Sequence, residues 1–194
     1  ACTGKQASEK TASGLEPANF RTEVDGKQTD LFVLKNKNGM EVCITNFGGR
    51  IVSVMVPDKD GVMRDVVLGF DAIQDYIKFP SDFGATIGRY ANRINQGKIT
   101  VDGVEYQLPR NNYGHCLHGG PKGFQYVVYT GTQISDQELK LTYQAKDMEE
   151  GFPGNLACTV TMKITDDNAI DLNYEAETDK PTIINMTNHS YFNL

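Results

Sequence analysis

The stretch VTMKITDDNAIDLNYEA, residues 160–176, decides the fold. Val160, Met162 and Ile164 alternate with polar neighbours, and Ile170, Leu172, Tyr174 and Ala176 resume the alternation after Asp166-Asp167-Asn168. Successive side chains of an extended chain point to opposite faces, so a period of two makes one face apolar and the other wet. The Asp-Asp-Asn cluster between the runs is turn chemistry, because short polar side chains hydrogen-bond their own backbone. The reading is a pair of half-buried antiparallel strands.

The same texture extends outward. Leu139, Leu141 and Tyr143 alternate with polar residues just upstream. Asp102-Gly103 separates Ile99-Thr100-Val101 from Val104-Glu105-Tyr106-Gln107-Leu108, a strong signal for a tight hairpin. Residues 50–56, RIVSVMV, are apolar too densely for simple alternation and fit a largely buried strand. Leu31-Phe32-Val33-Leu34 and Glu41-Val42-Cys43-Ile44-Thr45 flank an Asn36-Lys37-Asn38-Gly39 turn. One helix is predicted, at residues 72–78 and two turns at most. No repeat of fixed period and no internal linker divides the chain. The fold class is all-β, a large antiparallel β-sandwich, in one unit over residues 20–194 behind a flexible polar tail of residues 1–19.

Composition bounds the function. The chain has 194 residues, 39% of them hydrophobic and 23% charged, which suits a folded domain. Nineteen Lys+Arg stand against 25 Asp+Glu, a net charge of -6. Nucleic-acid binding needs clustered cations, so no nucleic-acid partner is expected. Mean hydropathy is -0.42, and the sequence holds no apolar run of the roughly 18 residues that mark a membrane-crossing helix. Cys2, Cys43, Cys116 and Cys158 are widely spaced with no C-x-x-C pair, against a structural zinc site. Cys43 and Cys158 lie in strand patterns and read as buried free thiols. Cys2 opens a polar tail, ACTGKQASEKTASGLEP, for which two readings stand. One is the tether behind a lipid-anchored cysteine, which would put the protein at a bacterial cell envelope. The other is a plain polar terminus, with a cytoplasmic location open.

Two loops hold more polar content than a sandwich core requires. One is residues 88–94, GRYANRI; the other is residues 112–120, ending Leu117-His118-Gly119-Gly120. Their glycines admit close approach of backbone to a ligand, and their Asn, Arg and His offer donors and acceptors suited to hydroxyls. Ordinary surface loops would have the same composition. His115 and His118 are too close on an extended segment to chelate one metal together, so no metal is expected. Asp58-Lys59-Asp60-Gly61 begins like a calcium loop, lacks the rest of that motif and reads as a turn.

Six segments in order carry a resemblance: Thr45-Asn46-Phe47-Gly48-Gly49, Val67-Leu68-Gly69-Phe70, the GRYANRI run at 88–94, Leu117-His118-Gly119-Gly120, EGFPGNL at 150–156 and TNHSYFNL at 187–194. Together they resemble the aldose 1-epimerase, or galactose mutarotase, family over residues 20–194. Tyr129 departs from the pattern, since relatives often carry Trp there. The resemblance implies a supersandwich fold and interconversion of the α and β anomers of aldohexoses such as galactose and glucose, with no cofactor. It implies that His189 is the general acid and that Asn92, Arg93 and His118 hold the sugar. It places the family's general base, a glutamate, and a sugar-binding aspartate beyond Leu194. The chain then corresponds to the N-terminal portion of the sandwich, completed by the missing half or by a second chain, and is expected to be inactive alone. A hexose-phosphate epimerase and a non-catalytic carbohydrate-binding module are the alternatives on the same fold.

Overall fold

The computed structural model describes residues 9–194. In chain order, a small ribbon of β1 (Glu23–Val24) and β2 (Lys27–Gln28) precedes β3 (Leu31–Lys35), β4 (Glu41–Thr45), β5 (Arg50–Pro57) and β6 (Met63–Asp65). The single predicted helix is present as α1 (Ile73–Lys78). Short strands follow: β7 (Thr86–Ile87), β8 (Arg93–Ile94), β9 (Lys98–Val101), β10 (Val104–Gln107) and β11 (Cys116–Leu117). Then come β12 (Thr130–Ser135), β13 (Glu138–Ala145), β14 (Leu156–Ile164), β15 (Ile170–Thr178) and β16 (Thr187–Asn188).

Two four-stranded antiparallel sheets dominate, ordered β3-β4-β5-β6 and β12-β13-β14-β15. The stretch that set the reading pairs as expected, with Val160 opposite Tyr174 and Met162 opposite Leu172. The sheets pack face to face. Leu34, Val42, Ile44 and Val54 of the first meet Leu139, Leu141, Val160 and Met162 of the second in one buried cluster. The Asp102-Gly103 hairpin joins β9 and β10, and both turn residues have positive φ, 48° and 78°. That combination matches the twist of the flanking strands.

Strands β4 and β5 are buried on both faces, which explains the dense apolar run of residues 50–56. Their second face meets a separate cluster that includes Leu15, Phe20, Ile73 and Tyr76. The N-terminal segment and α1 therefore form a third layer over the outside of the first sheet.

That layer revises the expectation for the tail. Cys2 and its tether reading lie outside the described residues, but residues 11–20 are packed on the sheet. The amides of Ala12 and Ser13 donate to the buried Glu41 carboxylate at 2.9 and 3.4 Å, and Ser13 Oγ bonds Ser53 Oγ at 2.9 Å. Leu15 is buried below them. Part of the anchoring is by backbone N–H groups, which every residue but proline carries, so a polar segment docks with little trace in its composition.

Cys43, Cys116 and Cys158 are free and buried. Burial pushes the Cys43 and Cys158 thiols up to about 12, so both are inert at neutral pH.

Leu141 tests the packing of the two sheets. It is fully buried between them, and Leu141→Ala is expected to lower the unfolding free energy by about 2–5 kcal/mol. A urea midpoint unchanged from the parent would contradict the face-to-face core.

Candidate active site

Two short strand pairs at one end of the sandwich position the candidate residues. The first joins β7 and β16, with Ile87 opposite Thr187 and Thr86 opposite Asn188. His189 follows directly; its N–H donates to Ala85 O at 2.8 Å, and Asn188 Nδ2 donates to Gly84 O at 3.0 Å. Gly84 is required where it stands. Its φ is +67°, and a Cβ there would lie 1.9 Å from the Ile51 carbonyl oxygen.

Residues 81–84 are bolted from below by Arg50, whose side chain is fully buried. Its Nη1 donates to Ser81 O at 2.9 Å and Phe83 O at 3.1 Å, and its Nη2 to Gln125 O at 2.9 Å. The rings of Phe47, Tyr76 and Tyr126 surround the guanidinium with centroids 5.2–5.7 Å away, a favourable setting for a desolvated cation.

The second pair joins β8 and β11, with Arg93 opposite Leu117. Just beyond its ends, Asn92 and His118 lock together. His118 N–H donates to Asn92 O at 3.0 Å, and Asn92 N–H donates to His118 Nδ1 at 2.9 Å. Both residues are left-handed, φ 65° and 51°, a conformation held here by this reciprocal bonding. Arg93 Nε donates to Asn112 Oδ1 at 3.0 Å, which orients its guanidinium. The loops at 88–94 and 112–120, far apart in sequence, thus meet.

The two pairs converge on the histidines. The rings of His118 and His189 lie 5.0 Å apart and nearly perpendicular, and His189 lies 5.1 Å from the Tyr191 ring. Asp82, from the segment held by Arg50, puts Oδ2 3.9 Å from His118 Nε2. Sequence reasoning identified Asn92, Arg93, His118 and His189, and they are near one another. It missed Asp82, Arg50 and Tyr191. A lone aspartate beside a phenylalanine carries no local signal of a site.

The proton on His118 is fixed by its surroundings. Because Nδ1 accepts the Asn92 amide, a neutral ring must carry its proton on Nε2, the atom nearest Asp82. Burial draws the His118 pKa below its ordinary 6.5; His189 and Arg93 push the same way, and Asp82 opposes them. Ligand atoms of Asp82, His118 and His189 lie within 4.8 Å of one another, spacing that a metal could bridge. The donor set does not fit one. Nε2 presents a proton to that space, and freeing its lone pair would cost the bond from Asn92. His115 is turned elsewhere, its Nδ1 accepting Gln96 N–H at 2.9 Å. The arrangement suits a ligand rich in hydroxyls, with one donor ring, one second histidine and one carboxylate around a small space.

Arg89, in the same sequence motif, faces the interior. It donates to Pro153 O at 2.9 Å and Gly154 O at 3.0 Å and packs on the Phe152 ring. It ties the 150–156 segment to the site end of the fold and is not available to a ligand.

The sequence and the fold are both similar to those of known proteins. A family model described as Aldose 1-epimerase matches residues 30–194. The aldose 1-epimerase of Escherichia coli K12 is 39% identical over 170 residues, 88% of this chain and 49% of that protein. The galactose mutarotase of Rattus norvegicus is 40% identical over 169 residues, 87% of this chain and 48% of that one. A crystal structure of an aldose epimerase homologue from C. elegans superposes with a TM-score of 0.82 at 33% identity, covering 86% of this chain and 51% of its own. A galactose 1-epimerase structure from Lactobacillus acidophilus gives 0.80 at 30% identity, covering 90% and 52%. The chain spans about half the length of the curated relatives it matches.

The histidine geometry sets a pH dependence. Folding holds His118 neutral to lower pH than unfolding does, so below about 6.5 the unfolded chain takes the proton first and stability falls with pH. An NMR titration is expected to give His118 a midpoint below 6.5. His118→Gln is expected to remove that part of the acid destabilisation. A midpoint above the ordinary value would contradict the assigned surroundings.

Proposed function

The chain belongs to the aldose 1-epimerase family, and on that premise we propose that it forms the N-terminal half of an enzyme interconverting the α and β anomers of aldohexoses such as galactose and glucose. His189 is the general acid in this reading, and Asn92, Arg93 and His118 hold the sugar. The supporting observation is the 5.0 Å approach of the His118 and His189 rings beside Arg93, made by two strand pairs remote in sequence.

The chemistry follows from the groups present. Anomer exchange opens a cyclic hemiacetal: a base removes the C1 hydroxyl proton while an acid protonates the ring oxygen. Rotation about C1–C2 and closure on the other face complete the exchange, with acid and base in reversed roles. A histidine suits the acid because imidazole gives and regains a proton near neutral pH. His118 in its Nε2–H form is a donor to a sugar oxygen. Arg93 has terminal nitrogens free of hydrogen bonds among the described residues and is suited to a hydroxyl or the developing C1 oxyanion. Proton shuttling between positioned groups requires no metal and no nucleotide. The base is assigned to the C-terminal half, and the same half would cover β15, an edge strand whose Ile170, Leu172 and Tyr174 are only partly buried. A 194-residue chain alone is then expected to leave anomer exchange at its spontaneous rate. The tail led by Cys2 is proposed as a lipid tether to the cell envelope, and the intact mass of the native protein, with or without acyl chains, tests it.

Arg89 weighs against the hexose-phosphate alternative, since its charge is spent on backbone carbonyls and only Arg93 of the pair remains for a phosphate. In a chain that includes the C-terminal half, His189→Asn is expected to lower kcat by at least ~10²-fold with the fold intact, as polarimetry on fresh α-galactose would read. Near-normal turnover would refute the acid assignment. Galactose binding by the parent protein with no acceleration of anomer exchange would instead establish the carbohydrate-binding module.

A further inference from the structure

The Asp82 carboxylate has no hydrogen-bond partner among the described residues, although it is three-quarters covered: its side chain is 26% exposed, and that of His118 is 12%. It is not an orienting group for His118. That ring is fixed from behind by the Asn92 amide on Nδ1, and the 3.9 Å between Nε2 and Oδ2 exceeds a hydrogen bond. The same 3.9 Å lets one oxygen atom sit at ordinary bonding distance, about 2.8 Å, from both. Such an oxygen would face a donor on one side, His118 Nε2–H, and an acceptor on the other, Asp82 Oδ2. Among the functional groups of a sugar, a hydroxyl accepts and donates at once.

The geometry points to Asp82 as a sugar-binding residue that receives the proton of one ring hydroxyl while the oxygen of that hydroxyl accepts from His118 Nε2–H. This rests on the epimerase reading of the site and adds to it a residue that selects for a hydroxyl at one position of the ring. The placement is built in before the sugar arrives. Arg50 holds the carbonyls on either side of Asp82, those of Ser81 and Phe83, and Ala85 N–H donates to the Asp82 carbonyl at 3.1 Å. Ala85 in turn carries His189 on its own carbonyl. One four-residue segment therefore fixes the carboxylate and the proposed acid relative to each other, a rigidity that favours selective binding. A site arranged to bond a hydroxyl rejects an analogue lacking it, because its polar groups are left unpaired.

The test uses the protein with its C-terminal half and measures equilibrium binding of the parent hexose and of its monodeoxy and monodeoxyfluoro analogues. At one ring position, deoxygenation is expected to weaken binding to the native protein by roughly 10- to 100-fold, the range for a hydrogen bond to a charged group. Fluorine at that position should do nearly the same, since it has no proton for Asp82. In Asp82→Ala, and in the isosteric Asp82→Asn, the parent sugar should bind correspondingly more weakly. In Asp82→Ala the penalty for removing that hydroxyl should shrink to about 2-fold or less, a coupling that a merely structural role would not produce. The same deoxy penalties at every position in native and Asp82→Ala protein would overturn the assignment of Asp82 and leave the epimerase reading standing. A native protein that binds no aldohexose would overturn both.

Discussion

A guanidinium with no access to water sits at the start of β5, and the site end of the molecule is organised around it. Taking the Arg50 cation out of solvent is costly unless its N–H groups and its charge are matched. Three carbonyls take N–H groups of its two terminal nitrogens and three aromatic rings surround the charge, while Nε is left without a hydrogen-bond partner among the described residues. The carbonyls belong to Ser81, Phe83 and Gln125, so satisfying one buried charge fixes the segment that carries Asp82 and the turn at Phe124–Tyr126 together. A hydrophobic residue at that point would fill the volume and leave those carbonyls without donors.

One wall of the candidate site hangs from that platform by hydrogen bonds to its backbone. Residues 84–87 pair with β16, which delivers His189, and the close approach to Ile51 is open only to a glycine at 84. The other wall uses Asn92 and His118, each strained into a left-handed conformation and each satisfying the other. That exchange sets ring orientation and tautomer together, so which nitrogen of neutral His118 carries the proton is decided by a main-chain amide and not by a side chain.

The large sheets contribute rigidity and not chemistry. Their interdigitated cores leave the ends of the short strands as the places where polar side chains from distant loops meet. The first sheet is covered on one face by the second sheet and on the other by the N-terminal segment and α1. The second ends at β15, whose apolar residues are half-covered. The half-length match to the relatives is consistent with that asymmetry.

Much of the fold was legible in the residues, because the signals were local. Alternation at 139–143 and 160–176 marked strands of the second sheet, Asp102-Gly103 marked a hairpin, and the dense run at 50–56 marked a largely buried strand. The two polar loops and His189 could be singled out by composition and resemblance. The docking of residues 11–20 was hidden, since its anchors are amides on a buried Glu41 and a polar tail looks the same docked or free. Asp82 was hidden for a different reason. An aspartate acquires its meaning from what lies 3.9 Å away, and His118, more than thirty positions further along the chain, is brought there by strand pairing remote from Asp82. Residue type and period determined which segments are strands and which are loops. Only the tertiary structure decided which loops share a site and where a proton rests within it, because distances between remote side chains are set by packing and not by local sequence.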